Sequence, residues 1–293
     1  MSPSPLGGLW LPLITPFLEG ALDEASLRRL IRHYAKQRLD GLVLAGTTGE
    51  AATLTPTETH ALIEIARDEM ETIGCALPVF LGLSGSGSAE VVRKIEATAR
   101  WPIDGLLLSS PHYIRPPQDG MVEHFLTAAQ ATDRPILIYN IPYRTGINMS
   151  NETLLELATL PNIVGLKDCC NDPAQSFALF KEQPADFAIL TGEDLSAFVA
   201  LCLGANGAIL SVAHVQTAAF AEVIRLTLAG DMLAARDLWL PLHTLAVTLL
   251  SETSPAGVKH ALWRQGLISS AEVRAPMQAA SAALATRLDQ VLA

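Results

Sequence analysis

Cysteine is scarce, and the four that occur, Cys75, Cys169, Cys170 and Cys202, show neither metal-ligand spacing nor a disulfide framework. Reduced thiols are expected, with Cys169 and Cys170 read as small core or loop residues close to Lys167. Aromatics make up only 5% of the chain, so alanine and leucine carry the packing. The seven histidines (His33, His60, His112, His124, His214, His243, His260) form no H-x-H or H-E-x-x-H pattern, which disfavours a metal-dependent aldolase or hydrolase. Basic stripes are missing too: the net charge of −10 is spread along the chain, so neither nucleic acid nor an anionic membrane surface is an expected partner. A diffuse negative charge does not exclude an anionic substrate, because one or two arginines in a cleft outweigh it. There is no apolar run long enough to span a bilayer, and Met1-Ser2-Pro3-Ser4-Pro5 has no basic stretch leading into an apolar one, so a soluble, cytoplasmic protein is expected.

What is present is alternation. Eight short runs rich in Leu, Val and Ile (Leu9 to Phe17, Gly41 to Gly46, Leu77 to Leu83, Gly105 to Ser109, Pro135 to Asn140, Ile163 to Lys167, Phe187 to Thr191, Gly207 to Ser211) are separated by segments of helical period. Most runs are continuously apolar, as for parallel strands covered on both faces. Asp23, Thr55 followed by Pro56, Ser88 and Asn151 mark helix starts. Eight strand–helix alternations predict an α/β protein, a (β/α)8 TIM barrel, with an open doubly wound sheet as the second reading. That second reading is weakened because no first strand leads into G-x-G-x-x-G, and Gly82 to Gly87 has its glycines in the wrong order. After Val212 only helices are predicted, with breaks at Pro241, Pro255 and Pro276. The expected division is a barrel over 1–230 and a small C-terminal helical region over 231–293 packed on it.

Lysine is the other scarce residue, and one of the five stands apart. Lys36, Lys94, Lys181 and Lys259 lie in helical segments whose side chains can reach solvent; Lys167 ends a buried strand run. Desolvation favours the neutral amine, which can attack a ketone and form a Schiff base. The plain alternative is a strand-end lysine that snorkels outward or pairs with Asp168. In a barrel the site forms at the C-terminal ends of the strands. Tyr139 ends the neighbouring strand, roughly 5 Å away across the sheet, and is suited to shuttle protons; a barrel-filling aromatic is its bland reading. The Gly46-Thr47-Thr48-Gly49-Glu50 loop offers N–H groups and hydroxyls to a carboxylate, or is simply a turn capping the next helix. Arg144 can hold a second carboxylate bidentately, or be a surface charge. His112 and His214 fall near strand ends, where they could touch the site.

Six motifs occur in order: G-T-T-G-E at Gly46, the segment Pro111 to Pro116, Y-N-I-P-x-R-T-G at Tyr139, G-L-K-D at Gly165, T-G-E-D at Thr191 and G-A-N-G-A-I at Gly204. Together they resemble the dihydrodipicolinate synthase and N-acetylneuraminate lyase superfamily of pyruvate-dependent Schiff-base aldolases. The resemblance implies that Lys167 forms the imine with pyruvate, that Tyr139 and Thr48 relay protons, and that Tyr113 completes the relay from a neighbouring subunit of a homotetramer, a dimer of dimers. It implies that Thr47 and Thr48 hold the pyruvate carboxylate, that Gly192 and Ile209 shape the pocket, and that Arg144 binds the carboxylate of aspartate semialdehyde, in lysine and diaminopimelate biosynthesis. No cofactor and no metal are implied. A different pyruvate-dependent aldolase, lyase or dehydratase acting on a sugar acid or other aldehyde is the alternative, and a catalytically silent keto-acid binder the second. The chain departs from the family pattern at His112, Tyr143, Glu193 and Ser254. Positions that bind feedback lysine in sensitive relatives read Ala51, Pro56, Thr59, Ser86, Glu90 and His112; only Glu90 is retained, so weak or absent lysine inhibition is expected.

Overall fold

Each apolar run becomes a strand in the computed structural model, which describes residues 6–292. Met1 to Pro5, read above as lacking a leader, lie outside the described residues, as does Ala293. The strands are β1 (Gly8–Pro12), β2 (Gly41–Leu44), β3 (Val79–Leu83), β4 (Gly105–Ser109), β5 (Ile136–Asn140), β6 (Ile163–Asp168), β7 (Ala188–Thr191) and β8 (Gly207–Ile209). All pair in parallel with their sequence neighbours, and β8 returns to β1 to close the barrel. The predicted (β/α)8 barrel is therefore the observed fold.

Helices follow the strands: α1 (Glu24–Tyr34), α2 (Pro56–Thr72), α3 (Ser88–Ala97), α4 (Gln118–Gln130), α5 (Pro142–Thr145), α6 (Asn151–Leu157), α7 (Pro173–Glu182), α8 (Ala197–Leu203) and α9 (Thr217–Leu228), then α10 (Met232–Leu249), α11 (Ala256–Arg264) and α12 (Ala282–Leu292). Local chemistry starts several of them. Asp23 accepts the Ser26 N–H at the head of α1, and Thr55 forms a reciprocal capping box with Glu58 before Pro56 in α2.

Strand alternation sorts the core into two parts. One face of the strands packs against the helices, with Leu42, Leu44, Leu81, Ile138, Leu166 and Ile189 among its buried members. The other face fills the barrel with Trp10, Val43, Phe80, Leu107, Leu137, Tyr139, Ala188, Leu190 and Ile209. Trp10 and Phe80 meet edge to face at 5.0 Å and occupy the space that a Cβ on Gly41 or Gly105 would need. The interior is thus packed with side chains towards its lower end, and the polar groups are confined to the mouth.

Three expectations are corrected, and one unexpected helical turn is added. The first run does not continue to Phe17: β1 stops at Pro12, and Phe17–Leu18 turns back on Ala21–Leu22 as a small antiparallel hairpin through Gly20, at φ 81°. Pro241 does not break the chain but sits inside α10. Burial of Trp239, Leu242, Leu245, Ala246 and Leu249 along that helix outweighs a local proline cost of about 3 kcal/mol. The loop after β5 contains a single helical turn, α5, begun by Pro142 and closed by Gly146 at φ 84°; four residues are too few to show a period. Finally, Lys259 does not reach solvent. It is fully buried and ion-paired with Glu50.

Candidate active site at the barrel mouth

Residues at matching register on neighbouring parallel strands face the same side of the sheet. Lys167 on β6 is in register with Tyr139 on β5 and Leu190 on β7, and both of those fill the barrel. Its side chain therefore rises inside the barrel, where it is 6% exposed and its Nζ lies 4.3 Å from the centre of the Tyr139 ring. Asp168 faces the other way: it accepts hydrogen bonds from Ser176 Oγ at 2.6 Å and Cys170 N–H at 3.0 Å. The reading of Lys167 as a snorkelling or Asp168-paired lysine is thereby removed.

Burial sets the electrostatics. Desolvation lowers the Lys167 pKa from the ordinary lysine range, against the opposing influence of Cys169, Asp194 and Glu193. The Tyr139 phenol is held well above its usual range, first by burial and then by Cys169 and Tyr143, while the adjoining Thr47 hydroxyl acts in the other direction. Glu193 is raised by burial, and Asp194, also raised by burial, accepts from Ser211 Oγ and Val212 N–H at 3.0 and 2.9 Å. The mouth thus presents a poorly solvated amine and a protonated phenol within one small volume.

Gly192 leaves room for that amine. A Cβ at this position would fall 2.4 Å from Lys167 Cε and 2.4 Å from Cys169 Sγ. Its N–H is tied to the Asp168 carbonyl at 2.8 Å, which keeps β7 close to β6 just beyond the strand ends.

A cavity of about 150 Å³ collects the residues singled out from the sequence: Thr47, Thr48, Tyr139, Arg144, Lys167, Gly192 and Ile209 all line it. Tyr143, Glu193, Asp194, Ser211, Leu250 and Ser254 line it too. Sharing Thr47, Tyr139, Arg144 and Ser254, a neighbouring cavity of about 400 Å³ extends towards His112, Pro276 and Met277. Sequence reading missed the contributions of Leu250 and Pro276, because only the folded chain brings the C-terminal region over the mouth; Ser254, noted above as a departure from the family pattern, was the available signal. Ser254 Oγ is buried without a partner.

Three residues named from the sequence lie outside this cavity. Tyr113 is 88% exposed and does not line the cavity of its own chain. His214 is structural: its ring lies against Tyr34, with Nδ1 2.7 Å from the Ser211 carbonyl and Nε2 accepting the Ile14 N–H at 3.1 Å. With both nitrogens engaged and its pKa lowered by burial to about 4, it is a neutral core residue. His112 is exposed and reaches only the neighbouring cavity. Among the described residues, no group of three or more His, Cys, Asp or Glu side chains is arranged to hold a metal ion.

A parallel barrel with a desolvated lysine and a phenol side by side at its C-terminal mouth defines the class as a (β/α)8-barrel enzyme. Comparison with known proteins gives the particular family. The dihydrodipicolinate synthetase family matches residues 5–293. The 4-hydroxy-tetrahydrodipicolinate synthase 2 of Clostridium acetobutylicum is 37% identical over 288 residues, covering 97% of this chain and 99% of the relative. The crystal structure of dihydrodipicolinate synthase from Aquifex aeolicus superposes with a TM-score of 0.93 at 35% identity, over 98% of this chain and 97% of that one. That of Cyanidioschyzon merolae, with lysine bound, gives 0.93 at 31% identity over 98% and 97%. The chain belongs to the dihydrodipicolinate synthetase family.

Proposed function

We propose that this chain is a lyase that condenses pyruvate with aspartate semialdehyde through an imine on Lys167, the activity carried in the name of its 4-hydroxy-tetrahydrodipicolinate synthase relatives. The observation that carries the reading is the buried Lys167 amine in register with Tyr139, inside a cavity that also holds Thr47, Thr48 and Arg144. The neutral amine attacks the keto carbon, the carbonyl oxygen leaves as water with protons passed through Tyr139 and Thr48, and an imine forms. Loss of a methyl proton gives the enamine, whose carbon attacks the aldehyde. The product's own amine then displaces Lys167 by transimination and closes the ring. The imine nitrogen accepts the electron pair when the methyl proton leaves and returns it when the new carbon–carbon bond forms, so the chemistry requires no metal or organic cofactor.

Thr47 and Thr48 hold the pyruvate carboxylate, with Gly192 and Ile209 shaping the pocket, and Arg144 takes the carboxylate of the aldehyde. Full exposure of Tyr113 supports a role towards a neighbouring subunit, in a homotetramer built as a dimer of dimers; Tyr113→Phe is expected to lower turnover while the quaternary state, read by sedimentation, is kept. Lysine and diaminopimelate biosynthesis in the cytoplasm is the setting this activity fits, and among the described residues no helix is long and apolar enough to cross a membrane. The helices after residue 230 act as a C-terminal region closing the mouth, since Leu250 and Ser254 line the cavity.

Another aldehyde, such as a sugar acid, is favoured by one observation: Tyr143, whose ring lies 5.9 Å from the Arg144 guanidinium and which lines the cavity with Glu193, narrows access for the second substrate. Borohydride reduction with pyruvate, followed by peptide mass spectrometry and a coupled assay with aspartate semialdehyde, separates the readings. An adduct on Lys167 with turnover supports the synthase, and an adduct without turnover supports another aldehyde. No adduct leaves a silent keto-acid binder.

A further inference from the structure

The second buried lysine lies outside the reacting centre. Lys259, on α11, is 0% exposed, and its Nζ is ion-paired with Glu50, itself 2% exposed, at the end of the Gly46–Glu50 loop. Lys259 also donates to the Glu272 carbonyl at 2.8 Å and lies 4.3 Å from the centre of the Phe17 ring. The other Glu50 oxygen accepts the Arg274 backbone N–H at 2.9 Å. Arg274 completes the clasp from above. Its guanidinium pairs with Glu58, donates to the carbonyls of Thr53 at 3.0 Å and Gly20 at 2.7 Å, and lies 4.2 Å from the Phe17 ring centre. The C-terminal region thus grips the Glu50 end of the loop that carries Thr47 and Thr48, together with the neighbouring hairpin at Phe17 and Gly20.

That loop needs an outside hold. Ala45 and Glu50, at its two ends, sit in the left-handed region at φ 49° and 55°, a conformation that side chains other than glycine adopt at a cost and that surrounding structure must impose. Side chains hold its far end: Thr15 donates to the Gly49 carbonyl at 2.7 Å, Thr53 donates to the Glu50 carbonyl at 2.9 Å, and the Glu50 carboxylate engages Lys259 and the Arg274 N–H. Two taken-from-water charges are also an expensive way to fill a core when apolar residues of the same volume serve as well. A directed, short-range hold on a loop is something apolar residues do not provide.

We propose that the Glu50–Lys259 pair, braced by Arg274, is a positioning device that sets the Thr47–Thr48 segment for the substrate's carboxylate. The inference rests on the keto-acid reading above. A group that only places carboxylate-binding donors contributes equally to bound substrate and transition state, so its loss raises the concentration needed for saturation and spares the maximal rate.

The test uses the full chain in its native assembly. The initial rate of Lys167 reduction by borohydride is followed against pyruvate concentration in the parent, Glu50→Gln and the Glu50→Gln/Lys259→Met double variant, beside thermal unfolding of each. In Glu50→Gln, half-saturating pyruvate is expected to rise about tenfold, the loss of one charge-assisted contact, with the maximal trapping rate within about twofold of the parent. The double variant removes the stranded ammonium; it is expected to unfold at a higher temperature than Glu50→Gln yet to keep the raised half-saturation. Should Glu50→Gln fail to fold, the double variant carries the measurement alone. Parent-like half-saturation in the folded variants, or a fall in maximal rate at unchanged half-saturation, overturns the inference while leaving the chemistry at Lys167 intact. An untrapped Lys167 in the parent removes the keto-acid reading and this inference together.

Discussion

Adding one methyl group at Gly192 tests whether the space around Lys167 is set by the fold. The new Cβ would stand 2.4 Å from Lys167 Cε and 2.4 Å from Cys169 Sγ, well inside van der Waals contact. Gly192 sits where no left-handed backbone is required, so Gly192→Ala changes occupancy and little else. Cys169 is buried against the barrel interior and cannot withdraw; the lysine stem is the softer neighbour. Overpacking of this kind costs about 1–3 kcal/mol. If the lysine yields, the amine leaves its place beside Tyr139, and pyruvate trapping is expected to slow by roughly 5- to 150-fold, the same energy expressed as a rate. If the backbone yields instead, the loss appears in thermal unfolding. Trapping by borohydride and calorimetric unfolding, measured on the same preparation, divide the cost between the two. Adding Cys169→Ala relieves one of the two contacts and is expected to restore part of the loss. Parent-like trapping together with parent-like unfolding in Gly192→Ala would refute the claim that Gly192 makes room for the nucleophile.

Three further outcomes are expected. Arg144→Ala is expected to raise the aldehyde concentration needed for half-maximal turnover by roughly 10- to 150-fold, equivalent to about 1.5–3 kcal/mol for a hydrogen-bonded charge, while Lys167 is still trapped by pyruvate alone; steady-state kinetics with each substrate varied checks it. His214 has a folded pKa of about 4, below its unfolded value, so the unfolded chain binds the extra proton first as the pH falls. Its contribution is fully present above about pH 6.5 and is lost as the pH falls through 4, amounting to about 3 kcal/mol, and denaturant unfolding of His214→Gln should show a shallower decline over that window. Millimolar lysine is expected to leave turnover unchanged, since the retained Glu90 is already paired with Lys94 at 2.6 Å; a clear drop in a coupled assay would contradict this.

The barrel was legible because strand and helix periods are local properties of the chain. Continuous apolar runs separated by capped helical segments admit few arrangements, and a run ending in Lys167 one strand after Tyr139 already implies an amine and a phenol at one mouth. Exact element ends were less legible. Pro12 and Pro241 have the same local chemistry, but β1 leaves the barrel at Pro12 while α10 continues through Pro241, because the buried face of α10 outweighs the lost bond.

Lys167 and Lys259 mark the boundary between what the sequence determined and what only tertiary structure decided. The position of Lys167 at a strand end, its neighbour Tyr139 and the glycine-rich loop were all present in the order of residues, whereas the register that sets Lys167 opposite Tyr139 depends on a one-residue shift between Ile136 and Leu137 that only the folded sheet contains. Nothing local distinguished Lys259 from a solvated helix lysine. Its burial depends on Glu50, far away in the chain, and on the return of α11 and Arg274 over the barrel mouth. The direction of Asp168 away from Lys167, the internal role of His214 and the outward position of Tyr113 were settled in the same way, by which groups the closed barrel brings within hydrogen-bond distance. Periodicity and motif are written along the chain, whereas desolvation and pairing depend on distances that exist only after folding.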